Sequence, residues 1–298
     1  MPRSNRREFL VAAAAAAAPL LAQSAATPGG LFLSMHEATS GGFDFRAAME
    51  GYAKAGVRAV EITLPKLREF ADKESPAVAK RLLQDLGLKP VSCGSRTGVV
   101  EPNPNRPKNL EDLKWQLELA QAVGCDRMVM PSGSTAKFTP DDYKRGVENA
   151  RECGEMARPF GVTMMLEFQR ISTFIGTLPT ALRVVRETAH PNVRVMLDTY
   201  HFWGGVSKFE DLELLRDGEV HHLHFEDTPD DPPRELLEQR HRVWPGQGIA
   251  PLRRIVEVLK RKKYSGPASV ELFDPMIQKM DPYQAAMKAR AAVEPLLG

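Results

Sequence analysis

The chain has 298 residues, of which 43% are hydrophobic and 26% charged, a composition typical of a globular protein with a sizeable core. Its formal net charge of +2 falls to zero if residues 1–26, which hold three Arg and one Glu, are removed. A neutral protein lacks the basic surface that nucleic-acid binding requires, so a nucleic-acid partner is not expected. The three cysteines (Cys93, Cys125 and Cys153) are widely spaced, which excludes a CxxC motif and argues against a disulfide framework.

Residues 1–26 have the pattern of an export signal. A basic head with Arg6 and Arg7 precedes an Ala-rich apolar run, and small residues surround a cleavage position after Ala26. The arginine pair favours the twin-arginine class, with an ordinary leader or a retained anchor as the alternative. The apolar run is too short and Ala-rich for a typical membrane span, and no second candidate span follows. We expect a mature chain of residues 27–298 that is exported, to the periplasm, by the twin-arginine route.

Short apolar segments alternate with amphipathic ones from residue 31 onward. Eight apolar segments predict strands: 31–35, 57–63, 88–94, 126–131, 162–168, 193–198, 220–225 and 267–273. Helical periodicity is found near 44–55, 75–86, 109–123, 140–158, 179–188, 209–217, 250–263 and 281–296. This alternation predicts a parallel sheet covered by helices, and eight units in about 270 residues fit a single-domain α/β protein, a closed (β/α)₈ TIM barrel. A doubly wound open sheet is the alternative, but no GxGxxG motif follows the first strand.

Functional groups of such a barrel lie at the C-terminal ends of its strands. The last four predicted strands each carry a metal-ligand residue there: Glu167, Asp198, His224 and Glu271. A single Asp or Glu at a strand end is usually a helix cap or a solvated charge. Three carboxylates gathered inside apolar strands would be strongly destabilising without a cation. The pattern therefore predicts one divalent metal ion, and the ligand types favour Mn²⁺, Mg²⁺, Co²⁺ or Zn²⁺.

Other residues near these positions are weaker candidates. His222 shares a face with His224 but lies one layer deeper, where a core histidine is expected. Candidates for contacts with the ligands or the substrate are His36, His201 and His241. Trp203 has the chemistry to stack on a sugar ring, although packing between barrel and helix explains it equally well. Phe168 and Phe273 are assigned to the core, on the expectation that strand alternation turns them away from the site.

Several segments together resemble the sugar-phosphate isomerase/epimerase superfamily of xylose-isomerase-like barrels: VTMMLEF, VMLDTYHFWGG, HLHFEDTPDD, RVWPGQG and SVELFDP. Within it the chain is most similar to the inosose (2-keto-myo-inositol) isomerases. The resemblance implies four metal ligands: Glu167, Asp198, His224 and Glu271. It also implies that Glu167 and Glu271 form the acid/base pair and that His201 and Arg242 contact the substrate. Two features differ: His36 stands where inosose isomerases have Asn, and an export signal is unusual for cytoplasmic inositol breakdown.

These residue types suit proton transfer next to a carbonyl. The hypothesis is a metal-dependent isomerase or epimerase of a keto sugar or inosose, which abstracts a proton beside the carbonyl to give a metal-stabilised enediolate. The same residues serve isomerisation and epimerisation, so both stay open. The long loop 227–248 follows the seventh strand and is a candidate lid. The expected partner is a carbohydrate or cyclitol, with homo-oligomerisation left open.

Two other functions are compatible with the same fold. One is an exported, non-catalytic sugar-binding barrel that keeps its metal for recognition. The other is phosphodiester cleavage, since the endonuclease IV branch shares the fold and several ligands. That branch uses additional histidines at the ends of strands three and four, where this chain has Gly94-Ser95-Arg96 and Pro131-Ser132-Gly133. The sequence therefore disfavours phosphodiester cleavage.

Overall fold

The computed structural model describes residues 30–94 and 98–298. The predicted export signal, residues 1–26, lies outside the described residues and stays a prediction. Among the helices that are described, none combines the length and the apolar character needed to cross a membrane.

Eight parallel strands close into a barrel in which each strand pairs with its neighbours in sequence. The strands are β1 (Phe32–His36), β2 (Ala59–Ile62), β3 (Lys89–Gly94), β4 (Arg127–Ser132), β5 (Thr163–Phe168), β6 (Val193–Asp198), β7 (Val220–His224) and β8 (Pro267–Val270). Each one overlaps a predicted strand, so the predicted single-domain (β/α)₈ barrel is confirmed. The last strand is shorter than predicted, because it ends at Val270 and Glu271 is the first residue after it.

The helices that surround the barrel are α1 (Phe45–Lys54), α2 (Leu64–Lys73), α3 (Pro76–Asp85), α4 (Arg106–Val123), α5 (Pro140–Ala157), α6 (Leu178–Thr188), α7 (Thr199–Trp203), α8 (Leu252–Arg261), α9 (Pro275–Gln278) and α10 (Pro282–Leu297). Helix α2 was not predicted; Pro65 lies in its first turn, where the missing N–H costs nothing. The helix predicted over 209–217 is wrong, since only a short 3₁₀ helix, Phe209–Leu214, forms there with a single buried residue.

On β5 and β6 the inward-facing residues change from apolar to charged toward the C-terminal end of the strand. Val129, Met165 and Met196 form a small cluster inside the barrel, separate from the main core between sheet and helices. Met165 and Met196 lie two residues before Glu167 and Asp198, so strand alternation places all four side chains on the inner face. The C-terminal end of the barrel is therefore the polar end.

The loop 227–248, called the lid segment below, folds back over that polar end. It contains two short 3₁₀ turns and is tied to its own base by an antiparallel bridge between Asp227 and Val243. The Asp227 carboxylate accepts four backbone N–H groups, from Thr228, Gly246, Gly248 and Ala250. At Gly248 a Cβ atom would lie 2.2 Å from the Thr228 carbonyl oxygen, so only glycine fits. This base fixes the path of the lid segment and with it the position of Arg242.

Candidate metal centre and active site

Four side chains converge at the C-terminal end of the barrel: Glu167 at the end of β5, Asp198 at the end of β6, His224 at the end of β7 and Glu271 just after β8. One ligand atom from each lies within 4.8 Å of the others, and all four residues are buried. The structure thus brings together the four residues that the sequence predicts as metal ligands.

Unpartnered polar atoms indicate that this cluster suits a cation. His224 Nδ1 lies 3.1 Å from Glu167 Oε1, 3.3 Å from Glu271 Oε2 and 3.4 Å from an Asp198 oxygen. Although these atoms lie close together, they do not meet in hydrogen-bonding geometry, and among the described residues neither His224 Nδ1 nor Glu167 Oε1 has a hydrogen-bond partner. Buried polar atoms without partners are costly, and a divalent ion between them would remove that cost. The donor set therefore fits a divalent metal.

Asp198 performs two tasks with its two oxygens. Its Oδ1 accepts the His201 N–H at 2.7 Å and caps α7. Its Oδ2 faces the candidate ligands and accepts a hydrogen bond from Arg242 Nη1 at 2.8 Å. Burial alone would raise the pKa of Asp198, but the Arg242 guanidinium holds it well below its usual range. The carboxylate therefore stays ionised and available as a ligand.

Arg242 is a buried cation of the lid segment, and only 2% of its surface is exposed. Besides Asp198, its Nη1 lies 2.9 Å from Glu226 Oε1 and 2.9 Å from Glu271 Oε2. Burial raises the pKa of Glu226 well above its usual range, and the negative charge of Asp198 adds to the effect. Arg242 thus neutralises part of a dense carboxylate cluster and lines the cavity, while its contact with a substrate stays a prediction.

Of the predicted substrate contacts His36, His201 and Trp203, one lines the cavity and two do not. His36 lines the cavity above the cluster, and its Nε2 lies 3.1 Å from Glu271 Oε1. His201 is buried behind Arg242, with its Nε2 3.2 Å from Arg242 Nη2, and does not line the cavity. Trp203, at the end of α7, is also outside the lining, because the short helix carries it away from the barrel axis. Of these three residues, only His36 is therefore placed for direct contact with a substrate.

The cavity has a volume of about 280 Å³. Its polar lining includes Gln169 and Gln239, two residues that the sequence analysis missed. Leu64, Pro65, Val129, Pro131 and Phe273 provide apolar walls. The core assignment of Phe273 is wrong: it is two residues after Glu271, so alternation keeps it on the same side, whereas Phe168 is fully buried in the core as predicted. A cavity with both polar groups and apolar walls suits a sugar or cyclitol ring.

Glu61 is the most substantial residue that the sequence analysis missed. It lies on β2, is completely buried, and lines the base of the cavity. Its carboxylate is 2.7 Å from His222 Nε2 and 3.1 Å from His224 Nε2. His222 is indeed a core histidine one layer below His224. The signal for Glu61 was present in the sequence, since a carboxylate within an apolar strand is the feature that identified Glu167.

A family model described as xylose isomerase-like TIM barrel matches residues 50–293. The chain belongs to this family. Among curated relatives, the inosose isomerase of Halalkalibacterium halodurans is 30% identical over 247 residues, which cover 81% of this chain and 87% of the relative. The D-psicose 3-epimerase of Ruminiclostridium cellulolyticum is 29% identical and covers 77% of this chain and 78% of the relative.

A solved structure of the IolI protein with a bound zinc atom superposes on this chain with a TM-score of 0.83. The two chains are 26% identical, and the match covers 90% of this chain and 98% of IolI. This family member therefore resembles sugar isomerases and epimerases over most of its length, and it resembles a zinc-binding protein at the level of the whole barrel.

Proposed function

We propose that this protein is a metal-dependent isomerase or epimerase of a keto sugar or inosose. The observation that carries the proposal is that Glu167, from β5, and Glu271, just after β8, both line one cavity and both belong to the candidate metal centre. Two carboxylates that approach a substrate carbon from different strands provide one base and one acid for proton transfer. The names of the two enzyme relatives support the same class of reaction.

Glu167, Asp198, His224 and Glu271 would hold the metal. When bound, a divalent ion would polarise a ketone oxygen and acidify the neighbouring C–H bond. Zinc is favoured by the likeness to IolI, while Mn²⁺, Mg²⁺ and Co²⁺ suit the same donors. The ion thus supplies the activation, and the proton transfers themselves fall to the side chains around it.

The residues around the metal would have three roles: proton transfer, hydrogen bonding to the substrate and exclusion of water. Either Glu167 or Glu271 removes the proton beside the carbonyl, and the same or the other glutamate returns it to a neighbouring carbon or to the opposite face. Arg242, His36 and the two cavity glutamines donate hydrogen bonds to substrate oxygens, and Arg242 offsets the negative charge that develops. The apolar walls reduce the access of water to the reacting carbon.

The first test is proton NMR in D₂O on metal-reconstituted protein. The panel comprises 2-keto-myo-inositol and the common free ketohexoses and ketopentoses, each with and without chelator. Loss of the signal next to the carbonyl, abolished by chelator, is the expected result for proton abstraction. If product forms without incorporating deuterium, the isomerase assignment stands, but the hydrogen is transferred by a hydride shift or as a proton shielded from solvent. If the metal-loaded protein changes the spectrum of none of these compounds, the proposal is contradicted and the non-catalytic sugar-binding barrel is favoured.

We also propose that the chain is exported to the periplasm by the twin-arginine route, on the pattern of residues 1–26. Periplasmic and cytoplasmic fractions should be compared for the native chain and for an Arg6→Lys, Arg7→Lys double variant. The native chain is expected in the periplasm with its leader removed, and the variant in the cytoplasm. Native protein found only in the cytoplasm would contradict export.

A further inference from the structure

A second polar cluster lies directly beneath the candidate metal centre. At its middle is Glu61, completely buried on β2. Ser92 Oγ donates to Glu61 Oε1 at 3.0 Å, and His222 Nε2 lies 2.7 Å from Glu61 Oε2. His224 Nε2 lies 3.2 Å from Oε1 and 3.1 Å from Oε2. A single carboxylate therefore takes donors from β3 and β7, and one of them belongs to a candidate metal ligand.

This arrangement decides which nitrogen of His224 carries the proton. A carboxylate at Nε2 favours the tautomer with the proton on Nε2. The lone pair of Nδ1 then points toward Glu167, Asp198 and Glu271. A metal-binding imidazole needs a free lone pair on the nitrogen that faces the metal and usually donates its other N–H to a carboxylate or carbonyl.

We propose that Glu61 is a positioning residue for the metal centre. It fixes the tautomer and the ring orientation of His224, and it is itself held in place by Ser92 and His222. This inference rests on the proposed function, because it takes the four-residue cluster as the place where the metal binds.

A second metal ion at this level is the competing interpretation, since His36, Glu61 and His224 also offer ligand atoms within 4.8 Å of one another. Such an ion would have to take His224 Nε2, the atom that lies within hydrogen-bond distance of Glu61. It would also have to displace Ser92 and His222 from a carboxylate on which both oxygens are already engaged. The hydrogen-bonded arrangement needs neither change, and it satisfies the carboxylate fully.

The test compares two buried glutamates that undergo the same substitution. Glu61→Gln removes the negative charge beside His224 and keeps the size of the side chain. Glu37→Gln is the matched control: Glu37 is also completely buried, but it accepts hydrogen bonds from Thr63 and contacts none of the four candidate ligands. Zinc and manganese affinities are measured by competition with a chromophoric chelator. We expect about 10- to 100-fold weaker metal binding for Glu61→Gln and native affinity for Glu37→Gln.

A spectroscopic measurement separates positioning from a general loss of structure. In the zinc-loaded native chain, the imidazole N–H protons of His222 and His224 should give downfield proton NMR signals, because both donate to a buried carboxylate. Both signals should move upfield in Glu61→Gln and stay in place in Glu37→Gln. If Glu61→Gln does not fold, Ser92→Ala takes its place, since it removes one donor and leaves the carboxylate. For Ser92→Ala we expect metal binding about threefold weaker, whereas native affinity would count against the inference.

The outcomes distinguish this inference from the proposed function. If the native chain binds neither zinc nor manganese tightly, the proposed metal centre is wrong and the role of Glu61 falls with it. If the native chain and Glu61→Gln bind equally tightly, with unchanged imidazole signals, the metal centre stands and only the positioning role is overturned.

Discussion

At the polar end of the barrel, each carboxylate oxygen of Asp198 and Glu271 contacts a specific partner. Asp198 caps α7 with one oxygen and faces Arg242 and His224 with the other. Glu271 contacts His36 through Oε1 and Arg242 through Oε2. Each carboxylate therefore has a fixed orientation before any substrate arrives, which is the condition for efficient proton transfer. Substitution of a catalytic carboxylate should therefore mainly lower kcat, whereas substitution of the buried cation should mainly lower the free energy of unfolding.

Glu271→Gln should separate catalysis from binding. Loss of a general acid or base lowers kcat by about 10²- to 10⁴-fold, whereas KM should change little. The measurement is steady-state kinetics on the substrate that the NMR panel identifies, at saturating metal and with metal content determined for each variant. Glu257→Gln, the same change on the exposed face of α8, is the control. A proportional loss of ligand affinity and turnover in fully metal-loaded Glu271→Gln would contradict an acid/base role.

Arg242→Met should destabilise the fold strongly. The substitution leaves Asp198, Glu226 and Glu271 buried without their shared cation, and such a loss costs about 3 to 5 kcal/mol. Urea unfolding in the presence of chelator measures the free energy without a contribution from bound metal. The matched control is Arg240→Met; the Arg240 side chain is 59% exposed and pairs with an exposed glutamate, Glu238. There the expected loss is below about 1 kcal/mol. Equal losses in the two variants would mean that the buried cluster is not balanced by Arg242.

Arg170, in the loop after β5, helps to fasten the lid segment to the barrel, together with the bonds from Tyr200 Oη to the Glu238 carbonyl and from Arg234 Nη1 to the Gly205 carbonyl. Arg170 Nη1 donates to the Leu237 carbonyl and Nη2 to the Arg234 carbonyl, both at 2.6 Å, and Nε donates to the Gly204 carbonyl at 3.1 Å. Three loops are joined in this way, and the lid segment presents Gln239 and Arg242 to the cavity. Arg170 therefore acts on the site through the lid segment rather than by contact with substrate.

Arg170→Ala should raise KM about tenfold, which corresponds to one or two lost charge-assisted hydrogen bonds. Its effect on kcat should be smaller, because neither Glu167 nor Glu271 belongs to the lid segment. Hydrogen–deuterium exchange should increase across residues 227–248 and not in the barrel strands. Arg183→Ala, on the exposed face of α6, removes an equal charge whose ion pair in the described part of the chain is with Glu187, and it serves as the comparison. Unchanged exchange in the lid segment would refute the fastening role.

The elements that the sequence predicts best are the eight strands, each of which is marked by a short apolar segment. Near-continuous apolar strands identify the barrel, and the rule that sites lie at strand ends leads to Glu167, Asp198, His224 and Glu271. The sequence does not predict contacts between distant segments. Glu61 meets His224 only because β2 and β7 face each other across the closed barrel, and Gln239 reaches the cavity only because the lid segment folds back.

At the scale of the whole molecule, the C-terminal rim of the barrel is charged and contains several buried carboxylates. Glu37, in the 3₁₀ turn after β1, is completely buried and accepts hydrogen bonds from the backbone and side chain of Thr63. Burial raises its pKa from 4.5 to about 7, and the bonds from Thr63 offset only part of that rise. Such a group links the stability of the entire fold to pH.

The direction in which pH changes the stability follows from the pKa of Glu37 in the unfolded chain, 4.5, and in the folded chain, about 7. Between pH 4.5 and 7, the folded chain keeps the Glu37 proton while the unfolded chain releases it, so the stabilising contribution is complete below pH 4.5 and is lost as the pH rises. The total loss is about 3 kcal/mol. Glu37→Gln stays neutral at every pH and escapes this loss. Urea unfolding of both chains from pH 4 to pH 8 should therefore give free energies whose difference shifts in favour of Glu37→Gln by that amount. Parallel pH profiles would mean that Glu37 is already ionised in the folded protein, with Lys66 as its balancing charge.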